Sequence, residues 1–558
     1  MFLANARLKP ARETRRLSID RVGVVIGAVV LLHLATIWSF RFFASQDGPA
    51  HVDSAAIISA HLRGDAAQYE RYYDVRLEPL PNQLGHLLMA VLMLGLPPLV
   101  AEKIVLSLYV ILLPLGVLYA ARGIDRESGW VALLALPFTF NYLFHAGFYN
   151  FCLSLALSLF LLGYWLRRRE TFNGLHALVM AVLTLLVYAA HMLPLILAGM
   201  AVVVVTGWDC LIRWREGQDL KPWMRRLLPI AAFLPAALLA LPYLDQESMA
   251  GDQGQGDVVF YTRLDLLRRL AFGATMASYD RLELLVSLAV VVTFAAIGAW
   301  ILHIARRDWA EAAGGGWLIF LLLVVCLYFA KNSRLDRALW IPPRLELYTF
   351  FAAMLWFATN RPQPRLKQAA CIVGVGATLL LAGMHARTYA AFNRELEEYV
   401  APLAVIEPGS TVIPLPFMPH GVDDEGNWIS YKVSPMSYAG GYLGALGQVV
   451  NLGNYEGATT HFPIRFDPDV NPRKVLKYLD GEPPGVDLRA YQAFTGGRVQ
   501  VDYVLMYGLQ DDQRKHPRVA ATFESLREHG YEQVYISPRG RTQVWAHPNV
   551  RQRRAGDR

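Results

Sequence analysis

The chain has 558 residues, of which 54% are hydrophobic and 18% charged, with a mean hydropathy of +0.29. That is too apolar for a soluble protein of this length, and apolar runs of membrane-spanning length recur. The net charge of +7 does not point to nucleic acid, because many basic residues sit in short turns between apolar runs, as orientation in a membrane demands.

Residues 1–21 carry Arg7, Lys9, Arg12, Arg15, Arg16 and Arg21, which predicts a cytoplasmic N-terminal segment. A first span is expected over 22–43. Nothing after Phe43 reads as a small-residue cleavage site, so an uncleaved first helix is expected.

A large outer loop, 44–101, follows and opens SQDGPAHVDSAAIISA from Ser45. Asp47 and His51 are four residues apart, and a helix opened by Pro49 would place both near one face of its first turn. A carboxylate at the mouth of a membrane helix is costly unless it is solvated, paired or working. Asp47 therefore reads either as a helix cap or as a catalytic carboxylate at the membrane surface. Asp53 and Asp65 come next, then a Pro-containing stretch, Glu78-Pro79-Leu80-Pro81-Asn82, and His86 within an apolar run. That run, Gln83–Leu96, is too short to span and ends at Pro97-Pro98, so it is expected to lie at the outer interface.

With 83–96 outside the count, the most basic short turns fall on one side: Arg122/Arg126, Arg167–Arg169, Arg213/Arg215/Lys221/Arg225/Arg226, Arg306/Arg307 and Arg361/Arg365/Lys367. About eleven spans result, near 22–43, 102–121, 129–145, 148–166, 174–191, 193–212, 227–244, 282–304, 317–330, 345–359 and 369–387. The outer connections then collect His145, Tyr149 and Asn150, His191 in AAHMLP, a longer loop 245–281, and 331–346. This last loop breaks the charge rule, with Lys331, Arg334, Arg337 and Arg344 against Asp336 and Glu346. It reads as an anion site or as a salt-bridge cluster. Single histidines at helix ends are more often packing residues than ligands, but His51, His86, His145 and His191 all map to the outer side.

The tail, 388–558, turns polar and rich in Pro and Gly. Strands are expected at Thr411–Leu415, Val501–Met506, Gln533–Ile536 and Thr542–Ala546, and helices at Tyr389–Ala404, Pro472–Leu479 and Ala520–His529. The alternation predicts a small α/β domain. Gly440-Gly441-Tyr442-Leu443-Gly444 does not sit cleanly between strand and helix and is not read as a dinucleotide loop. The four cysteines all fall in apolar segments, so the tail has no cysteine for a disulfide or metal site.

This organisation resembles the polyprenyl-phosphate-dependent membrane glycosyltransferases of the GT-C fold. The likeness rests on a first helix, the early acidic residue in DGPAH, the interfacial helix after Leu80-Pro81-Asn82, the basic turn Tyr119–Arg126, and a C-terminal extracytoplasmic domain. It covers about residues 1–400 in layout. Many members carry a second acidic residue between the third and fourth helices; here FHAGFYNF holds no carboxylate. The resemblance implies a transmembrane domain over 22–387 and transfer of a sugar from a polyprenyl-phosphate donor to a lipid, glycan or protein acceptor. The site would face the periplasm from the inner membrane, and a divalent metal, Mg or Mn, would lie near Asp47 and Asp53.

Inverting transfer needs a base for the acceptor hydroxyl and charge stabilisation for the leaving phosphate. Asp47 is the expected base, with His51 orienting it or touching phosphate. Arg344, Arg337, Glu346, His191, His86, His145 and Asn150 are the expected substrate-binding set. Two rival readings are a lipid or glycolipid transporter, which predicts polar residues in the middle of several spans, and a non-catalytic envelope assembly protein, which would not need Asp47, His51 and Arg344 together.

Overall fold

The computed structural model describes residues 20–217, 227–249, 261–304, 314–330, 340–475 and 482–550. Its core is a helical bundle: α1 (Arg21–Ser39), α4 (Pro98–Ile124), α5 (Tyr149–Arg168), α6 (Gly174–Ala190), α7 (Met192–Arg215), α8 (Leu234–Met249), α10 (Glu283–Ile304), α11 (Trp317–Phe329), α12 (Ile341–Phe357) and α13 (Pro364–Val400). Three shorter helices complete it: α2 (Gly48–Arg63), α3 (Leu84–Leu92) and α9 (Arg263–Phe272). Among the described residues six helices are long and apolar enough to cross a membrane: α1, α4, α5, α7, α10 and α13. The architecture is that of a helical membrane protein with a small sheet-containing C-terminal region.

The expected span over 129–145 is not one continuous helix. The segment is broken into short turns, Ser128–Trp130, Val131–Ala135, Leu136–Phe138 and Tyr142–His145. Pro137 cannot donate its backbone nitrogen, and the Asn141 side chain starts a new turn by accepting from the Phe144 N–H at 3.1 Å. The run 83–96 is short, as expected, with nine helical residues in α3.

The basic turns that are described meet at one end of the bundle. Arg122 pairs with Asp20 at 2.8 Å, Arg361 with Asp125 at 2.8 Å, and Arg169 lies 3.6 Å from Asp209. Lys221, Arg225, Arg226, Arg306, Arg307, Lys331, Arg334, Asp336 and Arg337 lie outside the described residues, as do 250–260 in the loop after α8.

α13 runs straight through the expected boundary at 387/388, roughly 55 Å of helix at 1.5 Å per residue. Asn393 near its far end exchanges two hydrogen bonds with the Phe42 backbone, at 2.8 and 3.0 Å, and so ties the exit of α1 to the tail. Beyond it, five strands form one sheet in the order β3-β2-β5-β7-β6: β2 (Thr411–Pro416), β3 (Val450–Asn451), β5 (Tyr503–Tyr507), β6 (Glu532–Ile536) and β7 (Thr542–Ala546). β2 pairs parallel with β3 and β5, and the β6–β7 hairpin adds antiparallel. Helices α14 (Gly440–Gly447), α15 (Leu488–Phe494) and α16 (Pro517–Glu528) complete it.

The tail and the first long loop are stitched together. β1 (Tyr73–Val75) pairs antiparallel with β4 (Ile464–Phe466). α14 packs along α2, and the glycines explain how. A Cβ at Gly441 would collide with the Pro49 carbonyl, and one at Gly444 with the Asp53 carboxylate. The glycine run is a helix-packing seam.

Candidate functional site

The site forms where α2, α3, the turn after His145 and the tail segment after β3 converge. Asp47 occupies the cap position of α2, yet its side chain makes no cap hydrogen bond. The carboxylate instead meets the Gln46 amide, 3.3 Å away, and the Tyr455 hydroxyl of the tail. It is 7% exposed. Burial pushes its pKa up to about 6, against the pull of the nearby His51. A buried carboxyl with a pKa there is matched to proton transfer near neutral pH.

Gly147 sits against it. Its φ of +92° is open to glycine, and a Cβ there would lie 2.7 Å from the Asp47 Cβ and 2.8 Å from its nitrogen. The Asp47 N–H donates to the Ala146 carbonyl at 3.2 Å, and the Gln46 N–H to the His145 carbonyl at 3.0 Å. The His145–Gly147 turn thus lies along the Asp47 backbone.

His51, one helical turn on, has both ring nitrogens engaged. Nε2 is 2.7 Å from the Gly147 carbonyl, and Nδ1 contacts the Glu456 carboxylate. His86 on α3 joins them, its Nε2 3.1 Å from Glu456 Oε2 and 3.1 Å from His51 Nδ1. Ser54 donates to the same carboxylate. Burial alone would raise the pKa of Glu456, but the two imidazoles hold it below its ordinary value; burial opposes charge on His51, yet Glu456 raises it, while burial lowers His86. Glu456 was not anticipated from the sequence. Its only signal is a lone carboxylate in NLGNYEGATTHF, a stretch with no motif.

Asn150 holds α3 in place: its Oδ1 accepts from the Gly85 N–H at 2.6 Å and its Nδ2 donates to the Asn82 carbonyl at 2.8 Å. A further unanticipated carboxylate, Glu102, is buried beside the site, accepting from the Tyr149 hydroxyl at 3.1 Å and the Tyr442 hydroxyl at 3.4 Å.

Asp53 does not share a centre with Asp47. It turns toward the tail, accepting from the Asn451 and Asn454 amides at 3.1 and 3.0 Å, and burial pushes its pKa well above its ordinary value. Among the described residues, His51, His86 and Glu456 form the one group whose ligand atoms all lie within 4.8 Å of each other, as a metal would require.

Arg344, at the start of α12, stacks over Phe148 at 4.9 Å and Phe151 at 5.4 Å. Its Nε is buried with no hydrogen-bond partner among the described residues, and Asp47 lies within its electrostatic range. Glu346 is engaged elsewhere: it pairs with Arg269 at 2.7 Å and accepts from the Thr275 N–H at 2.7 Å. His145 points away from the cluster, with Nδ1 2.7 Å from the Ser278 hydroxyl and Nε2 2.6 Å from that of Tyr389. His191 caps α7 by accepting from the Leu193 N–H at 3.1 Å. Arg337 lies outside the described residues.

The structure therefore brings together Asp47, His51, His86 and Asn150, with Arg344 in electrostatic range, and adds Tyr455 and Glu456 from the tail. No family model matches the chain, and no curated protein matches it.

Proposed function

We propose that this chain is a polytopic membrane glycosyltransferase of GT-C type, with about eleven spans, moving a sugar from a polyprenyl-phosphate-linked donor to an acceptor on the periplasmic face of the inner membrane. The observation that carries the reading is one pair of opposite charges. Asp47 and Arg344 are in electrostatic range, neither forms an ion pair with any described residue, and each has a buried polar group. Burying charges of opposite sign without pairing them is costly, and a ligand between them offsets that cost.

In this reading Asp47 takes the proton from the acceptor hydroxyl as the sugar's anomeric carbon leaves the phosphate. The inverted glycosidic bond forms, the bond to phosphate oxygen breaks, and the proton resides on Asp47 until solvent removes it. The Arg344 guanidinium donates to the departing phosphate, a role suited to its planar fork.

The test is transfer by the purified full chain from a defined polyprenyl-phosphate sugar to endogenous envelope acceptors. Wild-type turnover with loss in Asp47→Asn supports the reading. An Asp47→Asn protein with unchanged turnover removes the base.

A further inference from the structure

Three segments far apart in sequence converge on one point. α2 brings His51, α3 brings His86 and the tail brings Glu456. They are 4%, 1% and 0% exposed. Their inward atoms form a compact triangle. His86 Nε2 lies 3.1 Å from His51 Nδ1 and 3.1 Å from Glu456 Oε2, and His51 Nδ1 contacts Glu456 Oε1. The edges of a tetrahedral metal site measure roughly 3.3 Å when ligand bonds are about 2.0–2.1 Å. The two imidazole planes stand at 88° to each other, so the rings meet edge to face and are not stacked.

The atoms turned away from that point are anchored. His51 Nε2 is 2.7 Å from the Gly147 carbonyl, and a ring that donates there turns a bare Nδ1 inward. His86 has the Asn82 carbonyl as a backbone partner, with the Asn150 amide 3.2 Å from its Nδ1. A ring that donates outward to that carbonyl turns a bare Nε2 inward. Ser54 donates to the Glu456 carboxylate, and the Glu456 N–H donates to Asn454 Oδ1 at 3.0 Å. Metal-ligating histidines almost always donate their second nitrogen to a carbonyl, carboxylate or water, and ligating carboxylates are themselves hydrogen-bonded. Phe462 adds an apolar neighbour to both rings, its centroid 5.9 Å from that of His51 and 5.4 Å from that of His86.

A buried ion pair needs one histidine and one carboxylate. Here a second imidazole reaches the same carboxylate from a separate helix, which Asn150 holds through Gly85 and Asn82. From this convergence we infer that His51, His86 and Glu456 are the ligands of a zinc ion that cross-links α2 and α3 to the C-terminal domain. Two imidazoles and one carboxylate suit zinc, whereas magnesium prefers oxygen ligands. Three protein ligands leave one position of a tetrahedral ion to a non-protein oxygen. Asp47 and Asp53, where the resemblance put a metal, stand outside this set. Asp53 is held by Asn451 and Asn454, and Asp47 meets Gln46 and Tyr455. The ion site does not depend on Asp47 acting as the base.

The test uses the purified, tag-free full chain in detergent, expressed in medium replete with zinc, manganese and magnesium. Elemental analysis should find about one zinc per chain. X-ray absorption at the zinc edge should show two imidazole nitrogens in the first shell. Dipicolinate should strip the ion and lower the thermal midpoint, and added zinc should restore it. His86→Ala and Glu456→Gln should lose the zinc, and Asp53→Asn should keep it. A wild-type chain that holds no zinc, and whose midpoint added zinc does not move, overturns the site. So does stoichiometric magnesium or manganese in place of zinc. A shell without two imidazoles overturns the ligand set, as does zinc retained in folded His86→Ala but lost in Asp53→Asn. The absorption spectrum is read on the wild-type chain and decides the ligand set even where the variants fail to fold. Sugar transfer enters none of these readouts, so an active Asp47→Asn removes the base reading and leaves the ion site to be decided on its own.

Discussion

Two clusters in this molecule join histidine to a buried carboxylate, and they use it differently. At the junction with the tail, Glu456 accepts from His51, His86 and Ser54, which come from two helices. At the start of α10, Glu283 accepts from three successive backbone N–H groups, those of Ser278, Tyr279 and Asp280. Its histidine, His385 on α13, stands 3.5 Å away, and neither ring nitrogen has a well-formed hydrogen bond among the described residues. A carboxylate that binds backbone fixes one local turn. A carboxylate that binds side chains from separate segments fixes a tertiary junction. The first kind stabilises an element and the second can position a site.

The largest effect should separate the two clusters by activity. Asp47→Asn beside the first is expected to cut sugar transfer by roughly 100- to 10,000-fold, the loss typical of a general base, with the thermal midpoint unchanged because the side chain does not cap α2. Turnover assayed against midpoint checks it. Glu283→Gln is expected to show the reverse pattern, with kcat retained and stability lowered.

Next comes His51→Leu, which keeps bulk but takes one of three donors from the Glu456 carboxylate in a site where it is 0% exposed, leaving His86 and Ser54. Breaking a buried pair by removing one partner costs about 3–5 kcal/mol. Reversible denaturation of the detergent-solubilised chain would read this, and a loss under about 1 kcal/mol would mean that His86 and Ser54 suffice for Glu456.

Arg344→Ala should weaken use of the lipid donor by roughly 10- to 100-fold, since hydrogen bonds to charged groups contribute about 1.5–3 kcal/mol. The loss should appear in KM for the donor, and Arg344→Lys should recover little of it, because an ammonium cannot reproduce the planar fork. Equal donor KM in all three proteins would remove Arg344 from the phosphate site.

A smaller effect comes from pH. Burial raises the Asp47 pKa to about 6. The base must be deprotonated to accept, so kcat should rise with pH through about 6 and fall about tenfold for each unit below it. Residual activity of Asp47→Asn should lack that limb. A wild-type profile without an inflection in this range would assign the base elsewhere.

Much of this was readable in the chain. The strands of the tail stand where β-branched runs placed them, and the basic turns that are described share one end of the bundle. The charge pattern of the turns puts Asp47, His51, His86 and Asn150 on one outer side, and they do meet. The same logic grouped His145 and His191, whose ring atoms are taken by Ser278 and Tyr389 and by a helix cap. Sharing a side of a membrane does not make side chains converge. Glu456 was invisible for a different reason: it contacts His51 across 405 residues, and no local periodicity encodes so distant a pairing. The interruption within 129–145 was not legible because hydropathy reports apolar content and not the missing N–H of Pro137.

The smallest expected effect tests the comparison itself. His385→Leu removes an imidazole that is 0% exposed, whose Nε2 lies 3.5 Å from Glu283 and whose nitrogens make no well-formed hydrogen bond among the described residues. Such unpaired polar atoms cost about 1–3 kcal/mol each when buried, so deleting them is favourable. Against this, the ring packs with His145 at 4.7 Å, Tyr279 at 5.8 Å and Phe140 at 6.0 Å, contacts worth about 0.5–1.5 kcal/mol in similar aromatic pairs. Glu283 keeps its three backbone donors whatever stands at position 385. The terms nearly cancel, and the net change should lie within about 1 kcal/mol. Denaturation of His385→Leu beside His51→Leu gives the contrast directly: a near-native midpoint for the first and a lowered one for the second. If both fall equally, Glu283 depends on His385 as Glu456 depends on His51, and the two carboxylates are not used differently after all.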